Sequence, residues 1–173
     1  GTRQRGAVIG LCPTTEANLG DGVFDATAWQ GAWGIGSDSH ASVDAAEELR
    51  LLEYTQRLAQ RQRNVLADGQ RPGVAEALWL SAVAGGAQAS GRPLGGLSVG
   101  QQADFVVLGD TLLTGLAPTR QLATHVFASH RRATIQDVWV GGTRRVQNGR
   151  HVDAEVAAER FVAARGRLLA QLE

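Results

Sequence analysis

The segment Ala7-Val8-Ile9-Gly10-Leu11 is a short apolar run, and Trp33-Gly34-Ile35-Gly36 is a second one. Runs without polar alternation are typical of strands buried on both faces, as in parallel sheets. The first run ends at Cys12-Pro13, where proline cannot continue a hydrogen-bonded ladder. The second run ends in Ser37-Asp38-Ser39-His40, so polar side chains follow both strands. The sequence therefore predicts an α/β protein with two parallel strands and candidate functional groups at their carboxyl ends.

Two helices are expected after the second strand. The first begins near Ser42, a favourable N-cap residue, and carries acidic side chains in its first turns, where the helix dipole favours them. The second covers about residues 74–89, and its stripe of small residues, including Gly85, predicts close approach to a neighbouring element. Residues 14–28 are rich in Gly, Asp, Asn and Thr, so a long loop is predicted there.

The pattern becomes rich in strands after Leu94. Gly141-Gly142 indicates a tight hairpin turn. Three strands are expected, at residues 103–108, 135–140 and 143–147, followed by a helix over residues 153–172 with an apolar face. The predicted organisation is thus an α/β unit, a small β-rich domain and a terminal helix, at residues 1–93, 94–152 and 153–173.

Composition excludes several classes of protein. The 173 residues carry 17 basic and 17 acidic side chains, and this neutrality argues against a nucleic-acid partner. No apolar run approaches the ~20 residues that span a bilayer, so no membrane partner is expected. A single cysteine, Cys12, excludes an internal disulfide and a cysteine-based zinc cluster, and it favours the reducing cytoplasm. Methionine is absent, which predicts that Gly1 is not a translation start.

Asp38 is the first candidate for chemistry because it directly follows a predicted parallel strand. A carboxylate there can bind a metal and accept a proton from water, or it can simply organise a turn before the helix. His40 could be a second ligand or a partner of one, since alternation along an extended segment would put it on the same side as Asp38. The alternative for His40 is a surface or capping histidine.

A second set of candidates follows the first strand. Thr14, Thr15 and Glu16 offer hydroxyls and a carboxylate that could orient a polar substrate, or they could bond within their own loop. Cys12 stands in no recognisable nucleophile motif and is interpreted as a buried structural thiol. The remaining histidines lack metal-ligand spacing and are interpreted as structural or exposed; they are His125, His130 and His151.

These segments, in this order, resemble the amidohydrolase superfamily in its deaminase branch. The strand ending in Cys12-Pro13-Thr14-Thr15 and the strand ending in Gly36-Ser37-Asp38 are similar to strands seven and eight of that family's barrel. Further resemblances cover the entry into its small β-domain and the closing hairpin, at residues 96–108, 135–142 and 149–151. Within the superfamily the formimidoylglutamate deiminases are the most similar family, on residues 15–22, 36–40 and 47–54.

The resemblance implies the carboxyl-terminal part of a (β/α)8 TIM barrel, with strands seven and eight and their helices. The implied activity is the zinc-dependent hydrolysis of N-formimidoyl-L-glutamate to N-formyl-L-glutamate and ammonia, a step of histidine degradation. Asp38 would bind the metal and take a proton from the attacking water. The alternatives are another aminohydrolase of the superfamily, such as one for guanine or a related heterocycle, and a non-catalytic domain that retains the scaffold.

The other metal ligands of the family, a His-x-His pair and a further histidine, have no counterpart in this sequence. The resemblance therefore implies that the upstream part of the enzyme is a partner of these residues, alongside a small-molecule substrate and a second copy in a homodimer. It also implies that the 173 residues alone neither catalyse the reaction nor hold zinc tightly, because catalytic zinc usually needs three protein ligands.

Overall fold

The computed structural model describes residues 6–128 and 134–172. The first part of the chain contains β1 (Val8–Leu11), α1 (Pro13–Leu19), β2 (Ala32–Ile35), α2 (Ala45–Gln60) and α3 (Val74–Ser90). The second part contains β3 (Phe105–Leu108), a 3-10 turn (Thr111–Leu113), α4 (Pro118–Phe127), β4 (Ile135–Val140), β5 (Thr143–Gln147), β6 (Arg150–His151) and α5 (Ala154–Leu169). These strands form a parallel pair, β1–β2, and an antiparallel sheet in the order β3-β4-β5-β6.

The parallel pair brings two strand ends together. Leu11 lies opposite Ile35, and the amide of Gly36 donates to the carbonyl of Leu11 at 3.0 Å, which extends the pairing by one residue. Carboxyl ends of parallel strands share one edge of a sheet, so the segments after Leu11 and Ile35 emerge side by side. The predicted parallel arrangement is confirmed.

Helix α3 packs against β2 at a point where no side chain fits. A Cβ atom built on Gly85 would lie 1.8 Å from the carbonyl oxygen of Trp33 and 2.4 Å from its carbonyl carbon. Glycine is therefore required at this contact, because any other residue would overlap with backbone atoms. The expectation that small residues permit a close approach is confirmed. The atoms that approach Gly85 are those of the Trp33 backbone carbonyl.

The antiparallel sheet follows the predicted pattern. Strands β4 and β5 are joined by Gly141 and Gly142, both with positive φ (57° and 77°), as a tight hairpin turn requires. Strand β3 pairs with β4 on the other side, and Phe105 stacks on Trp139 with ring centroids 5.7 Å apart. The terminal helix is also present as α5. None of its residues is buried, and Phe161 is 63% exposed, so its apolar face covers nothing within the described residues.

Helix α4 has no counterpart among the sequence predictions. It begins at Pro118, a residue suited to the first position of a helix, and it packs against α2 and α3. Its Val126 is fully buried and belongs to the same core cluster as Leu49 and Leu78. The chain therefore leaves the helical layer after α3, forms β3, and returns to that layer before completing the sheet.

Two local predictions are wrong. Residues 14–28 are not wholly a loop, because α1 begins at Pro13 and ends at Gly20, which has a left-handed conformation (φ 76°). The N-cap of α2 is Asp44 rather than Ser42, and its carboxylate accepts from the amides of Ala46 and Glu47 at 2.9 and 3.2 Å. Among residues 6–128 and 134–172, the structure contains no helix both long and apolar enough to cross a membrane.

Candidate functional site at the carboxyl ends of the parallel strands

Asp38 lies in a tight turn just beyond β2. The amide of His40 donates to the carbonyl of Ser37 at 3.0 Å and closes this turn, and Asp38 has φ of 47°, a left-handed conformation that aspartate tolerates better than most residues. The side chain is exposed, and its carboxylate accepts no hydrogen bond from the described residues. Asp38 thus presents an available carboxylate at the edge where the two strands end.

The turn changes the predicted relation between Asp38 and His40. The backbone reverses between them, so the expectation of two side chains alternating on an extended segment is wrong. The half-buried His40 instead accepts a hydrogen bond at Nδ1 from the amide of Ser42 at 3.1 Å. Ser42 in turn donates from its hydroxyl to Glu47 at 2.5 Å. His40 is therefore tied to the segment that leads into α2.

Thr15 joins the two strand ends. Its hydroxyl donates to the carbonyl of Ser37 at 2.7 Å and accepts from the amide of His40 at 3.1 Å, the two residues that bound the Asp38 turn. Thr15 is 3% exposed, so this hydroxyl works inside the protein and does not face solvent. The structure places the Thr15 hydroxyl beside the Asp38 turn, where its two partners are backbone groups of Ser37 and His40.

Thr14 is held by a buried carboxylate from α2. Its amide donates to Glu48 Oε2 at 2.9 Å and its hydroxyl donates to Glu48 Oε1 at 2.5 Å. Glu48 is 2% exposed. A carboxylate in such a position needs hydrogen-bond donors because burial disfavours its charge. Sequence reasoning missed this role, because the acidic start of α2 indicates only a favourable dipole interaction and no local signal links Glu48 to a threonine 34 residues earlier.

Glu16 and Cys12 close the start of α1. Glu16 Oε1 accepts from the amide of Cys12 at 2.8 Å, which satisfies a backbone group that the helix leaves without a partner. Glu16 also lines a cavity of about 350 Å³ beside β1. A direct contact of Thr14, Thr15 or Glu16 with substrate stays a prediction.

Cys12 is half-buried rather than buried as expected. Burial raises the pKa of its thiol, and the nearby carboxylates of Asp38, Glu16 and Glu48 raise it further. The thiol therefore stays protonated at neutral pH, whereas a nucleophilic cysteine needs its thiolate form. The interpretation of Cys12 as a structural residue agrees with this environment.

His125 is structural, as expected. It is 2% exposed on α4, lies 2.5 Å from the hydroxyl of Thr134 through Nδ1, and meets the ring of Trp79 edge-on at 5.4 Å. Burial lowers the pKa of His125, and Asp44 offsets part of this effect. His151 is about half exposed, and His130 lies outside the described residues.

The edge where the two parallel strands end carries one candidate metal ligand, Asp38. Carboxylate oxygen is a suitable donor for zinc, and the exposed Asp38 fits that role. Within the part of the chain that the structure describes, no group of three or more His, Cys, Asp or Glu side chains could hold a metal ion. The described residues can therefore contribute to a metal site but do not complete one.

Comparison with known proteins agrees with this architecture. The sequence model of the Amidohydrolase family matches residues 2–145. The formimidoylglutamate deiminase of Pseudomonas aeruginosa is 48% identical over 171 residues, which cover 96% of this chain and 38% of that protein. The chain thus spans well under half of the relative it matches, and the predicted resemblance is confirmed.

Two solved structures share the fold. An amidohydrolase from Brucella melitensis has a TM-score of 0.90 and 46% identity, over 97% of this chain and 38% of its own. An adenosine deaminase from Xanthomonas campestris with bound zinc has a TM-score of 0.78 and 25% identity, over 98% of this chain and 39% of its own. These likenesses extend over both sheets and the helices around them, and with the family match they show that the chain belongs to the amidohydrolase family.

Proposed function

We propose that these residues are the carboxyl-terminal part of a zinc-dependent deiminase that hydrolyses N-formimidoyl-L-glutamate to N-formyl-L-glutamate and ammonia in histidine degradation. The observation that carries the proposal is the 48% identity to a formimidoylglutamate deiminase along 96% of the chain. The parallel pair supports it further, because β1 and β2 would be strands seven and eight of a (β/α)8 barrel, whose active sites lie at the carboxyl ends of the strands. A different aminohydrolase, for guanine or a related heterocycle, is the competing activity.

Asp38 is the residue that would do chemistry in this enzyme. Zinc, when bound, would lower the pKa of a water molecule to about 7, which makes hydroxide available near neutral pH. Asp38 would bind the metal through one carboxylate oxygen. Its other oxygen would accept the proton of the attacking water and pass it to the departing nitrogen. The exposed position of Asp38 and its lack of hydrogen bonds from the described residues leave both oxygens available for these roles.

The rest of the site would come from the upstream part of the enzyme. The described residues contain no complete set of metal ligands, whereas catalytic zinc usually takes three protein ligands and a water. We infer that the exposed apolar residues of α5, such as Phe161 and Leu168, pack against upstream residues or against the second copy in a homodimer. The proposed division of the chain is at residues 1–93, 94–152 and 153–173, with α4 of the second unit packed on α2 and α3 of the first. A cytoplasmic location completes the proposal.

The test is an ammonia-release assay on the full-length enzyme, with formimidoylglutamate and guanine as separate substrates. We expect release from formimidoylglutamate alone and about one zinc per site by metal analysis. Release from guanine alone would favour the competing activity, and a metal-free, inactive protein would favour a non-catalytic scaffold.

Substitution separates the role of Asp38 from that of a general surface charge. Asp38→Asn removes the charge while keeping the size, and we expect turnover to fall by ~10²–10⁴-fold, the usual contribution of general acid–base catalysis. Asp153→Asn, at an exposed position before α5, is the matched control and should leave turnover unchanged. Retention of more than about a tenth of the rate by Asp38→Asn would contradict direct metal binding.

A further inference from the structure

The hydroxyl of Thr15 connects two elements that the sequence separates by more than twenty residues. Thr15 is the third residue of α1 and lies next to the end of β1, yet both hydrogen bonds of its hydroxyl go to the turn after β2. One bond reaches the carbonyl before Asp38 and the other reaches the amide two residues after it. Thr15 therefore holds the Asp38 turn at both of its ends.

Within residues 6–128 and 134–172, few other contacts fix the turn. Asp38 adopts a left-handed conformation, which non-glycine residues rarely occupy without support. The hydrogen bond from His40 to Ser37 closes the turn, and the amide of His40 shares its hydrogen between this carbonyl and Thr15. Both Asp38 and Ser39 are exposed, so packing does not restrain them. The position of the Asp38 carboxylate thus depends on how firmly Thr15 holds residues 37 and 40.

The position of Thr15 is itself fixed by the hydrogen bonds of its neighbour Thr14. The adjacent Thr14 bonds to Glu48 through both its amide and its hydroxyl, and Glu48 is buried at the start of α2. Helix α2 is the element that follows the Asp38 turn. Hydrogen bonds therefore tie Glu48 of α2 to Thr14, and others tie the adjacent residue Thr15 to the turn.

We propose that Thr15 is a positioning residue that, anchored by the Glu48–Thr14 hydrogen bonds, orients the Asp38 turn for metal binding. This inference rests on the proposed role of Asp38 as a zinc ligand. Groups that orient metal ligands through hydrogen bonds are worth about 10–100-fold in metal affinity or activity. Thr15 contacts the backbone around Asp38 and is not itself assigned a contact with metal or substrate.

Three variants of the full-length enzyme separate orientation from simple packing. Thr15→Val keeps the shape and removes the hydroxyl, whereas Thr15→Ser keeps the hydroxyl. Thr55→Val is the matched control, because the Thr55 hydroxyl also donates to a backbone carbonyl, that of Leu52, in a half-buried position within α2. If Thr15→Val does not fold, Thr15→Cys provides a substitution of similar size with a weak hydrogen-bonding group.

The first readout is zinc affinity, measured by competition with a chelator. We expect Thr15→Val to weaken zinc binding by about tenfold or more, with kcat reduced and KM little changed, because the substrate groups are untouched. Thr15→Ser and Thr55→Val should stay close to the wild type. Equal zinc affinities of Thr15→Val and Thr55→Val would overturn the inference.

The second readout needs neither metal nor substrate. Amide hydrogen exchange at His40 in the metal-free enzyme should be faster in Thr15→Val than in Thr15→Ser, because the valine leaves this amide with one partner instead of two. Unchanged exchange would show that Thr15 does not restrain the turn. Asp38→Asn, measured alongside, separates the two proposals. Unchanged zinc affinity in Asp38→Asn would refute the proposed role of Asp38 as a zinc ligand, while a loss there without one in Thr15→Val would refute this inference alone.

Discussion

Gly85→Ala is expected to destabilise the protein although alanine is the better helix former. The added methyl carbon would start 1.8 Å from the carbonyl oxygen of Trp33, whereas carbon and oxygen make close contacts at about 3.3 Å. Helix α3 must therefore move away from β2 by about 1.5 Å. The obstacle is backbone and cannot rotate aside, so the cost lies at the upper end of the usual ~1–3 kcal/mol for overpacking. The higher helix propensity of alanine offsets about 1 kcal/mol of this cost, so the free energy of unfolding should fall by about 2 kcal/mol.

The adjacent residue provides the control. Gly86 occupies the next position of α3 and is exposed, and a Cβ built on it would meet nothing within 4 Å. Gly86→Ala should therefore show only the propensity gain of about 0.5–1 kcal/mol. Two identical substitutions, one residue apart, should change stability in opposite directions and differ by about 3 kcal/mol in total.

Urea unfolding of the full-length enzyme measures this difference. We expect the midpoint to fall for Gly85→Ala and to rise for Gly86→Ala, with the slope of the transition unchanged. Equal shifts for the two variants would refute the reasoning, because they would show that the approach of α3 to the Trp33 carbonyl does not limit the side chain at position 85.

Three further predictions concern the cap of α2, pH and metal. Asp44→Ala should cost about 1 kcal/mol in urea unfolding, because it removes the acceptor of two amides, while Ser42→Ala should leave this cap intact. Because burial lowers the pKa of His125 below its usual 6.5, the unfolded chain binds more protons, and stability should fall as pH drops below about 6.5. His125→Gln should flatten that part of a melting-temperature profile against pH, and an unchanged profile would refute the assignment. Calorimetric titration of the 173 residues alone should show no tight zinc binding, and stoichiometric binding in the nanomolar range would place a complete site within them.

The strands were predictable because their signals are local. Short apolar runs ended by proline or by polar residues mark β1 and β2, and Gly141-Gly142 marks the hairpin of the second sheet. The parallel pairing followed from the absence of polar alternation in these runs. Asp38 could be selected for the same reason, since its place after a strand is readable in the sequence.

The network behind Asp38 was not predictable from such signals. Thr14 and Thr15 look like ordinary loop residues, and only the fold places them beside Glu48 and Ser37. The left-handed turn at Asp38 also could not be predicted from the alternation of side chains along the sequence, because it depends on hydrogen bonds from another element. Helix α4 is a different case, because its signal is local: Pro118 suits the first position of a helix, and Leu122 and Val126 follow at four-residue spacing.

The return of α4 to the helical layer limits how this chain can be divided. A segment ending near residue 93 would contain β1 to α3 but lack the helix that covers them, and Val126 would no longer fill its place beside Leu49 and Leu78. A segment beginning there would carry α4 without the surface it packs on. Neither piece is expected to be expressed as a stable protein by itself. Limited proteolysis after α3 should therefore leave two fragments that remain associated and separate only in denaturant.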